Sequence, residues 1–199
     1  MFDAIVLAGG RSVRLGGADK PAVRVGDVSL LDRVISAVQG AEQTIVVGPK
    51  RTVAGDVLWR QEDPPGAGPV AAIAAGMAEV GADLVVVLAA DLPWIGSLVP
   101  ALLAPLRSAA TPTVEVTVVV DQSGRRNHLA AAWRREALRS ALATAGDSDD
   151  AKGPPARRLF ASATVLEVTD AHGAGADCDS WDDIARARQR AEREGTVRE

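Results

Sequence analysis

The sequence predicts an α/β fold, a three-layer α/β/α sandwich around a mostly parallel sheet with a small antiparallel hairpin. Three observations lead there. Short apolar runs alternate with segments of helical spacing through the 199 residues. The run Asp83 to Leu88 is apolar from Leu84 onward without alternation, as in a parallel strand buried on both faces. A glycine-rich loop follows directly on the first apolar run, Ala4 to Leu7, where open α/β sheets bind ligands.

In chain order, Ala4 to Leu7 is the first strand. Ser29 is placed to cap a helix in which Leu30, Leu31, Val34, Ile35 and Val38 recur at helical spacing, and Gly40 to end it. Thr44 to Val47 is a β-branched strand, and Val57 to Trp59 a weaker one. Pro69 suits the first turn of an alanine-rich helix running through Ala78. After the strand ending at Leu88, a helix spans Ser97 to Leu106, kinked or begun again near Pro100. Val114 to Val120 and His128 to Trp133 read as strands joined by the turn-like Asp121 to Arg126, and thus as a hairpin. Arg134 to Ala143 is helical, Asp147 to Ala156 an acidic loop rich in proline and glycine, Val165 to Val168 a strand, and Asp182 to Glu194 a charged helix. Its arginines, Arg186, Arg188, Arg190 and Arg193, read as a solvated face.

Composition narrows the function classes. The chain is 47% hydrophobic with a net charge of −4 and a pI of about 5.3, which argues against general affinity for nucleic acid or an anionic membrane. Positive charge must act locally. Cys178 is the single cysteine, so there is neither an intramolecular disulfide nor a thiol set for structural zinc, and a reducing cytosol suits it. No signal-peptide pattern precedes the first strand. The longest apolar stretches, Leu84 to Ala90 and Val70 to Ala75, fall short of the roughly 20 residues of a membrane helix. The expectation is one cytoplasmic domain over residues 1–195, with a frayed tail at 196–199.

The loop Leu7-Ala8-Gly9-Gly10-Arg11-Ser12-Val13-Arg14-Leu15-Gly16-Gly17-Ala18-Asp19-Lys20-Pro21 carries the chemistry. Its glycines let backbone N–H groups approach a ligand, while Arg11, Arg14 and Lys20 add fixed positive charge. Phosphates need both kinds of donor. The alternative is a surface turn that happens to be rich in glycine and arginine. No Gly-Lys-Ser or Gly-Lys-Thr closes the loop as in a Walker A sequence, and Gly-x-Gly is missing. Gly66-Ala67-Gly68-Pro69-Val70-Ala71 formally fits a dinucleotide fingerprint, but Pro64 and Pro65 prevent a strand from running into it. Asp91 sits at the end of the hydrophobic strand. It either caps the next helix or faces a cation, and spacing alone favours neither.

The loop resembles the signature L-A-G-G-x-x-x-R-[LM]-G-x-x-x-K of nucleotidyltransferases, and among them most closely the molybdenum cofactor guanylyltransferases. The resemblance implies a Rossmann-like sheet of the nucleotide-diphospho-sugar transferase type and transfer of GMP from GTP to a phosphorylated, molybdopterin-type acceptor with release of pyrophosphate. It implies catalytic roles for Arg14, Lys20 and Asp91, and nucleotide contacts from Leu7, Ala8, Gly9, Gly10, Lys20, Asp63 and Asp91. Ala90-Asp91-Leu92-Pro93 looks like the family's metal-binding segment, which implies Mg2+ at Asp91. Asp179, in Asp177-Cys178-Asp179-Ser180-Trp181-Asp182-Asp183, stands where relatives approach the metal; its other reading is that it or Ser180 caps the last helix. Gly68 and Pro69 resemble a Gly-Pro loop near the acceptor, and His128 a histidine beside it. Without the family, His128 reads equally as a residue opening a strand. Trp94 is placed either to line the mouth of the acceptor site or to pack on a helix. His172 reads as an exposed loop residue. Expected partners are GTP and the acceptor, with transient contacts to cofactor-biosynthesis proteins or molybdoenzymes, and neither nucleic acid nor membrane. Two departures stand out. Val46-Val47-Gly48-Pro49 lacks an asparagine frequent in relatives, and Trp181 replaces a proline. The alternatives are a cytidylyl-, sugar-phosphate or phospholactate nucleotidyltransferase, or a non-catalytic nucleotide-binding regulator.

Overall fold

Side-chain alternation along the central strands decides the layers. The computed structural model describes residues 1–10, 15–145 and 153–196. In β1 (Asp3–Leu7), Ala4 and Val6 face one core and Ile5 the other. β6 (Leu84–Ala89) repeats this, with Val86 and Leu88 opposite Val85 and Val87. Both faces of these strands are therefore covered, which is why their sequence is continuously apolar.

The other strands are β2 (Arg24–Val25), β3 (Val28–Ser29), β4 (Thr44–Val47), β5 (Leu58–Arg60), β7 (Val116–Val120), β8 (Arg126–Arg134) and β9 (Val165–Thr169). Seven form one sheet in the order β5-β4-β1-β6-β8-β7-β9. β8 runs antiparallel to both neighbours, whereas every other pairing in the sheet is parallel. The expected hairpin of the seventh and eighth strands thus exists, but it is built into the main sheet. A separate small hairpin, β2 with β3, was not foreseen.

On one face lie α1 (Leu30–Ala37) and α3 (Val99–Arg107), contributing Leu31, Val34, Leu102 and Leu106 to the core. On the other lie α2 (Pro69–Met77) and α4 (Arg135–Ala145), with Val70, Ile73, Leu138 and Ala141. Ser29 caps α1 as expected, its Oγ accepting from the Asp32 N–H at 3.0 Å. Pro69 opens α2, and α3 starts after a 3-10 turn with Pro100 in its first turn. A third cluster, Leu15, Val25, Leu30, Cys178, Ile184 and Ala187, fixes α5 (Trp181–Thr196) beside the β2–β3 hairpin. None of the described helices is long and apolar enough to cross a membrane.

Trp133 is the largest fully buried side chain among the described residues, its ring tilted against that of Phe160 with centroids 4.8 Å apart. Trp133→Ala is expected to cost about 3–5 kcal/mol, read as a fall of about 10 °C in Tm.

Candidate functional site

The sheet's carboxyl edge is where the conspicuous residues meet. Leu7 pairs with Ala89, so the glycine loop after β1 and Asp91 after β6 emerge side by side. Asp3, buried at the other end, secures that pairing: its carboxylate accepts N–H bonds from Gln43, Gly81 and Ala82 at 2.8–3.1 Å. Above the carboxyl edge lies a cleft of about 550 Å3.

Leu7, Gly9, Gly10, Lys20, Gly68, Pro69, Asp91 and Asp179 all line the cleft. Ala8 is buried beneath the loop. Asp63 is exposed at the surface, and it is the neighbouring Glu62 that lines the cleft. Arg14, with Arg11, lies outside the described residues, as does most of the Asp147–Pro155 loop. Trp94 is packed between helices: the Arg33 and Arg190 guanidinium groups lie over its ring at 4.7 and 4.6 Å. Arg190 is accordingly a packing residue as well as a charged one, which corrects the reading of this helix's arginines as a purely solvated face. His128 meets Phe160 edge-on at 4.9 Å, while its neighbour Leu129 lines the cleft. Burial first, then Arg126 and Arg157, pushes the His128 pKa below the usual histidine value. An irregularity in the β7–β8 register places these residues: Val118 pairs with Ala131 but Val119 with Asn127.

Lys20 is the electrostatic centre. It opens a 3-10 turn, Lys20–Ala22, and its Nζ donates to Asp91 Oδ2 and, at 2.5 Å, to Asp179 Oδ1. Burial works to lower its pKa, but the two carboxylates outweigh burial and hold it above the usual lysine value. Asp177 beside them is raised, by burial first and then by Asp179 and Asp91. The bond from the Cys178 N–H to the Asp91 carbonyl, 3.1 Å, joins the two acidic segments across the chain. Cys178 itself is pushed up to about 12, chiefly by burial, and stays a neutral thiol.

Capping and site duties are divided between neighbours. Ser180 and Asp183 make the helix cap, with the Asp183 carboxylate accepting from the Ser180 N–H at 2.7 Å. Asp179 is therefore turned to Lys20. The fit of a divalent cation is supported by one more atom: Asp91 Oδ1 is buried with no hydrogen-bond partner among the described residues. Two nearby carboxylates, with the rest supplied by phosphate oxygens and water, match what Mg2+ takes.

Two residues brace the glycine loop, Arg51, which sequence reasoning missed, and Gly48, which it noted only as a departure from the family pattern. Arg51 Nη1 donates to the Ala8 carbonyl at 2.9 Å while its Nη2 reaches Asp19 Oδ1 at 2.6 Å. Gly48, φ +141°, lies so close that a Cβ there would sit 2.8 Å from the Ala8 carbonyl carbon and the Gly9 nitrogen. This is a physical reason for glycine at this position. Gly48→Ala would push the loop outward; nucleotide affinity is expected to fall at least about tenfold, with a stability loss of about 1–3 kcal/mol, measured by titration calorimetry and thermal melts.

Residues 4–167 match the family model described as the MobA-like NTP transferase domain. The chain is 26% identical over 156 residues to the molybdenum cofactor guanylyltransferase of Shewanella loihica, covering 76% of this chain and 78% of that one. It superposes with a TM-score of 0.73 on molybdopterin-guanine dinucleotide biosynthesis protein A from Archaeoglobus fulgidus, at 17% identity, covering 96% and 99%. It superposes at 0.70 on 2-C-methyl-D-erythritol 4-phosphate cytidylyltransferase from Thermus thermophilus, at 18% identity, covering 96% and 100%.

Proposed function

Because this chain belongs to the MobA-like NTP transferase domain family, we propose that it transfers GMP from GTP to the phosphate of a molybdopterin-type acceptor. Pyrophosphate leaves, and Mg2+ accompanies the triphosphate. The observation that carries this reading is the convergence of Gly9, Gly10, Lys20, Asp91 and Asp179 on one cleft.

The chemistry follows from that set. An oxygen of the acceptor's ionised phosphate monoester forms a bond to the α-phosphorus, and the bond from that phosphorus to the β-bridging oxygen breaks. No proton has to be removed from the nucleophile, so no general base is needed, and the protein's work is alignment and neutralisation of charge. Backbone N–H groups of the glycine loop hold phosphate oxygens. Lys20 exchanges a carboxylate contact for phosphate, remaining a fixed positive charge because its flanking acids keep it protonated. Asp91 and Asp179 hold the cation, which when bound offsets the charge that develops on the departing pyrophosphate. Arg14 adds a further cation to the triphosphate. Gly68 and Pro69, at the start of α2, border the acceptor side, with Leu129, the neighbour of His128, on the same cleft.

Guanine is supported by the guanylyltransferase named among the relatives. A cytidylyltransferase of the same fold supports the second reading, a different base or acceptor in the same donor loop. The test is pyrophosphate release with GTP, CTP, ATP and UTP in the presence of molybdopterin and of sugar phosphates. Release with GTP and molybdopterin is the expected outcome. Release with another pair moves the protein to the second reading. Stabilisation by GTP without release from any acceptor would make it a nucleotide-binding regulator.

A further inference from the structure

Glu62 plays no part in the steps above, yet it is the acid built most deliberately into the cleft wall. It is 9% exposed. One carboxylate oxygen, Oε1, accepts the Gly66 N–H at 2.9 Å, which fixes the side chain's direction. The other, Oε2, is buried with no hydrogen-bond partner among the described residues. A buried acceptor left in that state costs free energy, so a ligand that brings donors to it gains correspondingly. A Cβ at Gly9 would come 3.9 Å from Oε1, so the carboxylate stands directly beside the glycine loop.

What can bind such a group is narrowly defined. An ionised carboxylate only accepts hydrogen bonds. Phosphate oxygens also only accept, and Lys20 with its carboxylate partners already supplies a cationic and metal-binding region for them. Glu62 therefore faces a different part of the nucleotide. Guanine presents two adjacent donors, N1–H and the 2-amino group, spaced for the two oxygens of one carboxylate. Adenine and cytosine place an acceptor next to their amino group, and uracil flanks its single N–H with carbonyls.

We infer that Glu62 is the residue that selects the base, its carboxylate receiving the N1–H and 2-amino hydrogens of guanine. The inference rests on the GTP reading of the cleft and deepens it by naming the selector. The oxygen shared with Gly66 has a second lone pair, so the loop contact survives binding.

The test is titration calorimetry of the full chain with Mg2+ and GTP, inosine triphosphate, ATP or 2′-deoxy-GTP, using wild type and Glu62→Gln. Inosine triphosphate differs from GTP only by the missing 2-amino group. Wild type is expected to bind GTP about tenfold or more tightly than inosine triphosphate, and Glu62→Gln to bring that ratio close to one while still accepting from Gly66. If Glu62 only supports the loop, the variant weakens all nucleotides alike and keeps the ratio, which overturns the inference and leaves the GTP reading standing. If the variant is selectively deficient in sensing the 2′-hydroxyl, Glu62 holds the ribose and the inference is again overturned. Should the variant not fold, the wild-type ratio decides: a value near one overturns it. Wild type binding none of the four would defeat the GTP reading itself, a distinct result.

Discussion

Asp91→Asn is expected to lower turnover by roughly a thousandfold, the several kcal/mol that a metal contact contributes to transition-state charge stabilisation, while leaving Tm almost unchanged. Two features of its surroundings separate activity from stability here. Asp91 Oδ2 accepts from Lys20, and an asparagine carbonyl can still do so. Oδ1 is buried without a partner among the described residues, and a neutral amide in its place relieves the desolvation of a charge. The removal of one negative charge also takes away part of the repulsion that, after burial, raises Asp177. Steady-state pyrophosphate release and thermal melts on the same preparation check both halves. A variant that keeps near-normal turnover would remove Asp91 from the metal site.

Lys20→Ala is expected to differ in kind. Turnover falls about a hundredfold to a thousandfold through loss of a preorganised positive charge near the triphosphate. Stability falls too, by about 1–3 kcal/mol, because Asp91 and Asp179 then face each other, with Asp177 nearby, without their ammonium partner. Asp179 is half-exposed, and solvent screening holds the loss to that range. The same change should uncover a cation site: Mg2+ without nucleotide should raise the variant's Tm measurably and the wild type's little. In the wild type, Lys20 already occupies those carboxylates and, on the proposed reading, leaves them only when phosphate draws it away. Thermal shift with Mg2+ alone, run on both proteins, reads the difference. Equal shifts would show that lysine and metal do not share the carboxylates.

Features legible in the sequence are those that short stretches decide. Ala4–Leu7 and Leu84–Leu88 could only be buried strands, and Ser29 and Pro69 mark helix starts through groups within the same turn. The glycine loop and Asp91 could be assigned to one edge because parallel strands present their carboxyl ends together. Partner choice across the sheet was not legible. That β8 inserts between β6 and β7 is settled by which apolar faces it covers, not by anything local to Arg126–Arg134. The same limit explains the site. Glu62 and Asp63 are adjacent acids, and only tertiary packing selects the one that turns inward. Arg51 reaches the loop from 43 positions away. Asp179 could be freed for Lys20 once Ser180 and Asp183 had taken the cap, a division that the run of acids conceals.

The most direct measurement is a crystal structure with GTP and Mg2+. The account predicts the triphosphate along Gly9 and Gly10 with Lys20 on its oxygens, the cation on Asp91 with Asp179 beside it, and the guanine edge at Glu62. A nucleotide bound elsewhere on the molecule, or one in this cleft with its phosphates at Glu62 and its base at Asp91, would contradict it.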